Sequence, residues 1–446
     1  MQAHPRRRLV AALSGLSVVA ATALTGIAST AAAATGVMTP AIGAHPEYQV
    51  AGHVTTADPQ ATTFSCQTTT PAQCYGPAQI RAAYGVDQLA SQFHLDGKGE
   101  TIAIVDAFQS PTITSDLATF DSTFGLPAPK FNIIAPDGLT PFDPTSADQV
   151  DWAGEITLDV EYAHAIAPAA TIDLVLAKSD NDADLLDTQR FVVSHNLADV
   201  LSQSFGEAEQ CMLPAIQQQA HQVFQQAVQK HITVFASSAD QGAALPTCDG
   251  TSFFKAASTP ASDPNVTGVG GTILDADGTT GAYHSETVWN EPDFNAAGGG
   301  GFSVLYGAPS YQRSLHLPSR GVPDVAYNAA IIGGVLAVWS SSGQGANLVF
   351  RFGGTSAGSP QWAGLIALSD QLGHHRVGAI NSDLYAFGQG AVGSAFFHDI
   401  TTGDNTYHGA TVTVQGFAAK KGWDAASGLG TPKANNLVPL LAATSF

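Results

Sequence analysis

From Tyr75 onward the chain alternates between two apolar patterns. One is short and continuous: residues 101–105, 170–177, 200–205 and 233–239 are runs rich in β-branched and other apolar side chains, bounded by polar or small residues. Buried strands read this way. The other recurs every three or four positions, over 80–95, 150–165, 183–194 and 214–230, which is the period of a helix with an apolar face. Strand and helix patterns follow one another in turn. This predicts an α/β fold with a mostly parallel central β-sheet flanked by helices on both faces. Residues 265–350 are richer in Gly and turns, with strand-like pieces at 334–339 and 348–352. The segment Asp275-Ala276-Asp277-Gly278 reads as a hairpin turn; no bidentate Glu follows where a calcium loop would need one. A Gly-Gly-Thr-Ser segment then leads into a helix at about 359–372. No internal repeat is visible, so 76–446 reads as one large domain.

The start of the chain differs. Arg6, Arg7 and Arg8 precede 26 uncharged residues, Leu9 to Ala34, that dissolve into Ala, Ser and Thr. Residues 1–34 therefore read as a secretory signal peptide, with a membrane anchor as the competing reading. Residues 35–75 have little periodicity and read as a linker or short N-terminal extension. Export fits the four cysteines, Cys66, Cys74, Cys211 and Cys248. An even count in an exported chain implies two disulfides. Sequence proximity favours Cys66–Cys74 and Cys211–Cys248, two other pairings staying open, and no pair has zinc-ligand spacing.

Charge narrows the function. The formal net charge is −20 and only 12% of residues are charged, against about 25% in an average soluble protein. Nucleic-acid binding needs a dense basic footprint and is excluded. Any chemistry here works with few cations.

Three segments carry candidate chemistry. In Gly353-Gly354-Thr355-Ser356-Ala357-Gly358-Ser359-Pro360 a strand ends, small residues turn tightly, and Ser356 stands where a helix begins. A helix N-terminus favours developing negative charge, although a Ser or Thr there also caps helices. The same segment fits G-x-S-x-G, the nucleophile elbow of α/β-hydrolases. That rival needs a downstream acid and His, for which Asp383, Asp399 and His408 stand in order, but no HGGG-type segment lies upstream. Secondly, Glu155 and Asp159 lie four residues apart on a predicted helix, on one side of it, with Asp151 extending the stripe. Exposed, they form a solvated face; buried together, they share a proton. Thirdly, Asp240 follows an apolar strand in a run of small residues, at the carboxyl edge of a parallel sheet, where α/β sites form; a turn aspartate reads the same way.

Taken in order, these pieces resemble the sedolisin family, the serine-carboxyl peptidases related to subtilisins. The family pairs a Glu and an Asp four residues apart on a helix, an S-G-D segment after a strand, and a G-T-S-x-x-x-P loop. Here these are Glu155/Asp159, Ser238-Ala239-Asp240, and Gly354-Thr355-Ser356 with Pro360; further family-like stretches include Leu201 to Gly206, Gly299-Gly300-Gly301-Phe302-Ser303 and Arg320 to Val325. The resemblance implies a subtilisin-like fold and a secreted, acid-active endopeptidase. Ser356 would be the nucleophile, Glu155 the general base, Asp159 its orienting partner, and Asp240 a protonated oxyanion-hole carboxyl. Asp106, at a strand end, would join the proton network. Ser204, Phe205 and Gly206 would bind substrate. The resemblance also implies one structural calcium ion, held by Asp399 and Asp424 with the carbonyls of Ile400, Lys420 and Gly422. Lys420 stands where a small residue is usual, and Ala239 where Gly is usual. The large folded pro-domain common in the family is not evident between the signal and the domain. The expected partners are protein or peptide substrates, without nucleic acid or stable membrane association after signal cleavage, and the chain is expected to be a monomer. An esterase of the hydrolase type, and an inactive secreted homologue acting as a binding protein, are the alternatives.

Overall fold

The computed structural model describes residues 47–54, 63–390 and 392–444. The expected signal peptide lies outside them. The central sheet runs in the order Tyr283–Val288, Thr267–Ala276, Thr233–Ser237, Val200–Gln203, Thr101–Ala107, Thr171–Ala177, Lys130–Ile134, and Val325–Asn328 also pairs with Thr267–Ala276. Every pairing is parallel except that of the hairpin strand Tyr283–Val288. The expected α/β, subtilisin-like sheet is therefore present, and the Asp277 turn closes its hairpin by accepting from the amides of Thr279 and Thr280 (3.1 and 2.7 Å).

The strand period of two explains why helices cover both faces. Ile102, Ile104, Ile172, Leu174 and Phe235 pack into one core with residues of the helices Ala147–Ile166 and Gly358–Gly373. Their alternates Ala103, Val105, Val175, Leu201 and Val234 pack into a second core with the helices Asp182–His195 and Pro214–Gln229. A continuous apolar run is what a strand buried on both faces requires.

Boundaries differ from expectation in instructive places. The apolar stretch 80–95 is two helices, Pro77–Ala83 and Val86–Phe93, broken at Gly85, whose φ of 78° is left-handed. Part of the 35–75 stretch is an edge strand: Tyr48–His53 pairs antiparallel with Leu348–Phe352, in a second sheet that also holds Gly334–Val338 and Cys74–Tyr75. Tyr48 packs edge-on to Trp339 at 4.8 Å, a long-range contact that no local periodicity announces. Both proximity-based disulfides, Cys66–Cys74 and Cys211–Cys248, are formed. Among the described residues no helix is long and apolar enough to cross a membrane.

One buried ion pair braces the edge of the central strand Thr267–Ala276. Arg320 and Asp324 are both fully buried, with Nη1 and Nη2 donating to Oδ1 and Oδ2 at 2.7 and 2.6 Å. Asp324 also accepts from the Gly268 amide (2.8 Å) and the Tyr385 hydroxyl (2.9 Å). A Cβ on Gly270 would lie 2.6 Å from Pro323 Cγ, so this segment sits hard against the sheet. Removing one partner strands the other charge, which costs about 3–5 kcal/mol. Asp324→Ala is expected to lower unfolding stability by that amount in urea titrations; a loss under ~1 kcal/mol would show the pair to be dispensable.

Candidate active site

The helix Ala147–Ile166 is buried continuously from Trp152 to Ile166. Glu155 and Asp159 therefore do not form a solvated face, while Asp151, just before the buried run, is half-buried. Glu155 and Asp159 are fully buried, and Asp106, within the central strand Thr101–Ala107, is fully buried beside them. Burial pushes the Asp106 carboxyl up to about 8, and neither of its oxygens has a hydrogen-bond partner among the described residues. Burial raises Glu155 well above the usual range, and Asp159, Asp106 and Asp240 add to this in that order. The Ser356 hydroxyl pulls Glu155 the other way, although its geometry falls short of a hydrogen bond and both Glu155 oxygens are unpartnered. Asp159 is raised by burial and then by Asp106, against the Ser204 hydroxyl, which donates to its Oδ1 at 2.9 Å. Three carboxyls thus share one low-dielectric pocket without a cation bonded to any of them among the described residues, and they titrate as a set.

The loop Gly353–Ser356 is fixed by its own amides. Gly353 N donates to Glu47 O and Gly354 N to Ala329 O, both at 2.8 Å. Gly354 has φ 117°, which favours glycine, and a Cβ on Gly353 would lie 2.7 Å from Ile331 Cγ1. Thr355 donates twice to Asp240 Oδ1, from its amide at 2.8 Å and its hydroxyl at 2.7 Å. Ser356, only 3% exposed, then sits in the single 3-10 turn Thr355–Ala357 that opens the helix Gly358–Gly373. Ser204 also donates to the Ser356 carbonyl at 3.4 Å; Phe205 beside it is buried and Gly206 half-buried.

Asp240 is aimed by a strained turn. Ala239 has φ 87°, a region that costs a residue with a Cβ about 1–2 kcal/mol. Its carbonyl is clamped by Gly299 N at 2.6 Å, and Ser238 Oγ donates to Gly299 O at 2.8 Å. A Cβ on Gly299 would lie 1.8 Å from Ser238 O, so this approach requires glycine.

Ser356, Glu155, Asp159, Asp106, Asp240 and Ser204 are thus gathered at one place. The hydrolase rival has no support: no His donates to or accepts from Ser356 among the described hydrogen bonds, and His408 is exposed on a small hairpin. His164, one turn beyond Asp159 on the same helix, is fully buried, its Nε2 lying 2.9 Å from Pro127 O and 3.0 Å from Asp121 Oδ1. Two neighbours escaped the sequence reading. Glu47 lies close enough that Asp240 and Asp151 raise its carboxyl further than burial alone does. Trp152 is fully buried, its ring 6.2 Å from Phe205. Glu47 sits in an aperiodic stretch that gave no signal. Trp152 shares a helical face that reads simply as core.

The two aspartates expected to hold a cation both accept from the loop Lys420–Gly422. Asp424 Oδ1 accepts from Ala426 N, Ser427 N and Ser427 Oγ, and its Oδ2 from Lys420 N (2.9 Å). Both Asp399 oxygens accept from the single Gly422 amide, at 3.0 and 3.1 Å. Each carboxylate oxygen offers about two lone-pair positions, so Asp424 Oδ2, which takes one donor, and Asp399 keep capacity for a hard cation. Among the described residues no group of three or more His, Cys, Asp or Glu gathers that could hold a metal; the expected set has only two carboxylates and would rely on main-chain carbonyls for the rest.

No family model matches the sequence. Individual relatives do. The chain is 32% identical over 372 residues to kumamolisin of Bacillus sp. strain MN-32, covering 80% of this chain and 62% of the relative. It is 31% identical over 350 residues to sedolisin of Pseudomonas sp. strain 101, covering 74% of this chain and 56% of that protein. The match to xanthomonalisin of Xanthomonas sp. strain T-22 is 30% over 365 residues, covering 75% and 42%. The chain thus spans between two-fifths and two-thirds of these relatives' lengths. Among solved structures, Pseudomonas sedolisin, a serine-carboxyl proteinase complexed with two molecules of pseudo-iodotyrostatin, superimposes with a TM-score of 0.70 at 28% identity, covering 84% of this chain and 99% of that one. With the ordered site residues and the parallel sheet already in place, these likenesses put the chain in the sedolisin family.

Proposed function

We propose that the chain is a secreted, acid-active serine-carboxyl endopeptidase. The observation that carries this reading is the buried Asp106–Glu155–Asp159 set with Ser356 beside it. Three buried carboxyls repel when more than one is ionised. In acid the set therefore holds protons and carries at most one negative charge. Glu155 bears that charge in the active form, with Asp159 and Asp106 neutral. Ser356 Oγ attacks the peptide carbonyl carbon as Glu155 takes its proton. Negative charge moves to the carbonyl oxygen, where a neutral Asp240 carboxyl donates a hydrogen bond. The C–N bond breaks, Glu155 protonates the leaving amine, and an ester remains on Ser356. Water, deprotonated by Glu155, hydrolyses it. Asp240 fits the donor role because Thr355 occupies its Oδ1 and fixes the carboxyl's direction. An ionised Asp240 would repel the oxyanion, and this sets the alkaline limb.

Calcium, when bound, would supply structural cross-linking between loops and no reaction chemistry. Asp399 and Asp424 would hold it, with the carbonyls of Ile400, Lys420 and Gly422. Secretion follows from the N-terminal signal pattern and suits the two disulfides. Protein or peptide substrates, a monomeric state and the absence of membrane association belong to the same reading.

A pH–rate series on a denatured protein substrate, from about pH 3 to 8, tests the mechanism. The wild type is expected to peak in acid. Ser356→Ala and Glu155→Gln should each lose at least ~10³-fold in kcat, and Asp240→Ala about 10²–10³-fold. Asp240→Asn should retain activity and extend it towards neutral pH, because an amide donates at any pH. Full activity in Glu155→Gln would sink the proposal. For the metal, chelation should lower the thermal midpoint and added calcium restore it, with Asp424→Ala insensitive to both; a midpoint indifferent to chelator would remove calcium from the account.

A further inference from the structure

The peptide unit between Gly298 and Gly299 is held at both ends. Its N–H donates to the Ala239 carbonyl at 2.6 Å, the bond that shapes the turn aiming Asp240. Its C=O accepts from Nδ2 of Asn405 at 3.1 Å. The unit has no side chain of its own to fix it, and no room for one. A Cβ on Gly298 would lie 3.0 Å from the Gly271 backbone, and one on Gly299 would lie 1.8 Å from Ser238 O. A peptide plane between two glycines rotates with the fewest steric limits, so its direction depends on the bonds at its two ends. Reversed, it would turn its carbonyl towards Ala239 O.

Asn405 is fully buried, and both polar atoms of its carboxamide are used. Nδ2 donates to Gly298 O and to Ala425 O, at 3.1 and 3.4 Å, and Oδ1 accepts from Phe417 N at 2.7 Å. Two donors and one acceptor on a single planar group are what an amide supplies; a carboxylate has no donor and a hydroxyl only one. The backbone of the same residue reaches the same turn. Asn405 O accepts from Ala243 N at 3.0 Å, and a Cβ on Gly242 would lie 2.2 Å from that oxygen. Ala297 N donates to Asp240 O at 2.9 Å, and Gly242 N to Ala297 O at 2.8 Å. Asn290 Nδ2 grips the carbonyls on either side of Asn405, Asp404 O at 3.0 Å and Thr406 O at 3.1 Å. Ala239, at φ 87°, persists only where its surroundings over-determine it, and these bonds are those surroundings.

We infer that Asn405 is a positioning residue for Asp240: its carboxamide locks the Gly298–Gly299 peptide, that peptide holds Ala239, and the turn keeps the Asp240 carboxyl aimed at the oxyanion. The inference rests on the oxyanion role proposed for Asp240. Asn405 is buried away from any substrate and acts only through the turn. An oxyanion donor is effective when it is aimed before charge develops, and one that must reorient during the reaction loses that advantage. Loss of the lock therefore appears in kcat rather than in KM.

Asn405→Asp keeps the size and the acceptor and removes both donors. Its kcat on a peptide substrate should fall about 10–10²-fold, with KM within about twofold of wild type. Added to Asp240→Ala, it should cost no more than about twofold beyond Asp240→Ala alone, because the group it aims is gone. Equal losses in both backgrounds would make Asn405 a purely structural residue and overturn the inference. Hydrogen exchange of the full chain, corrected for intrinsic rates, needs no activity. In Asn405→Asp, exchange over residues 239–243 and 297–299 should accelerate at least about tenfold relative to the strand Thr171–Ala177; unchanged exchange there would also overturn it. If the variant fails to fold, the wild type suffices. Its Ala297 and Gly299 amides should be protected to within about tenfold of that strand, and freely exchanging amides would mean that no lock exists. A chain without peptidase activity that shows the expected exchange pattern would defeat the proposed function and leave the Asn405 lock standing.

Discussion

The structure depends on burying carboxyls without cations to neutralise them. With 17 Lys and Arg against 37 Asp and Glu, most buried acids cannot be paired. Arg320 is the fully buried cation of the described core, and it is spent on Asp324. Some of the remaining buried acids are satisfied by hydrogen bonds, as Glu209 is by Ser303 and Val304, and others are pushed towards the neutral form. Asp106 and Asp370 are each pushed up to about 8 by burial, and Glu207 to about 9. Folded values above unfolded ones mean stability that is complete in acid and is lost as pH rises through this range. The fold and the proposed chemistry thus ask for the same solvent.

The scaffold brings that constraint to a single place. Strands buried on both faces set Asp106 in mid-sheet, and a helix buried almost throughout its length turns Glu155 and Asp159 towards it. The loops then supply direction. Thr355 ties the nucleophile turn to Asp240, and Ser204 ties the neighbouring strand end to Asp159 and to the Ser356 carbonyl. Each tie joins two of the segments that carry chemistry, so the site is a closed set of hydrogen bonds around carboxyls that themselves remain largely unpartnered.

Much of this was legible in the sequence because strand and helix patterns report burial directly. The apolar runs at 101–105, 170–177 and 200–205 mark central strands, and the spacing of Glu155 and Asp159 marks one helical face. Spacing alone could not separate a solvated face from a buried one; packing against the helix Gly358–Gly373 decides that. Glu47 and the strand Tyr48–His53 were hidden because their partners lie some three hundred residues away, at Gly353 and Leu348–Phe352. Ala239 stood out in sequence only as a departure from the usual Gly, and its φ of 87° gives the physical reason why Gly is usual there. The roles of individual carboxyls came from resemblance, since no periodicity distinguishes a base from an oxyanion donor.

The most direct test of the central claim is the protonation state of the buried set. Infrared difference spectra of the protein at about pH 6, comparing wild type with Asp106→Asn and Asp159→Asn, read the carbonyl stretch of neutral carboxyls separately from carboxylates. The account predicts neutral-carboxyl bands in the wild type, each variant removing one, at a pH where exposed acids are ionised. Spectra showing only carboxylates at that pH would contradict it.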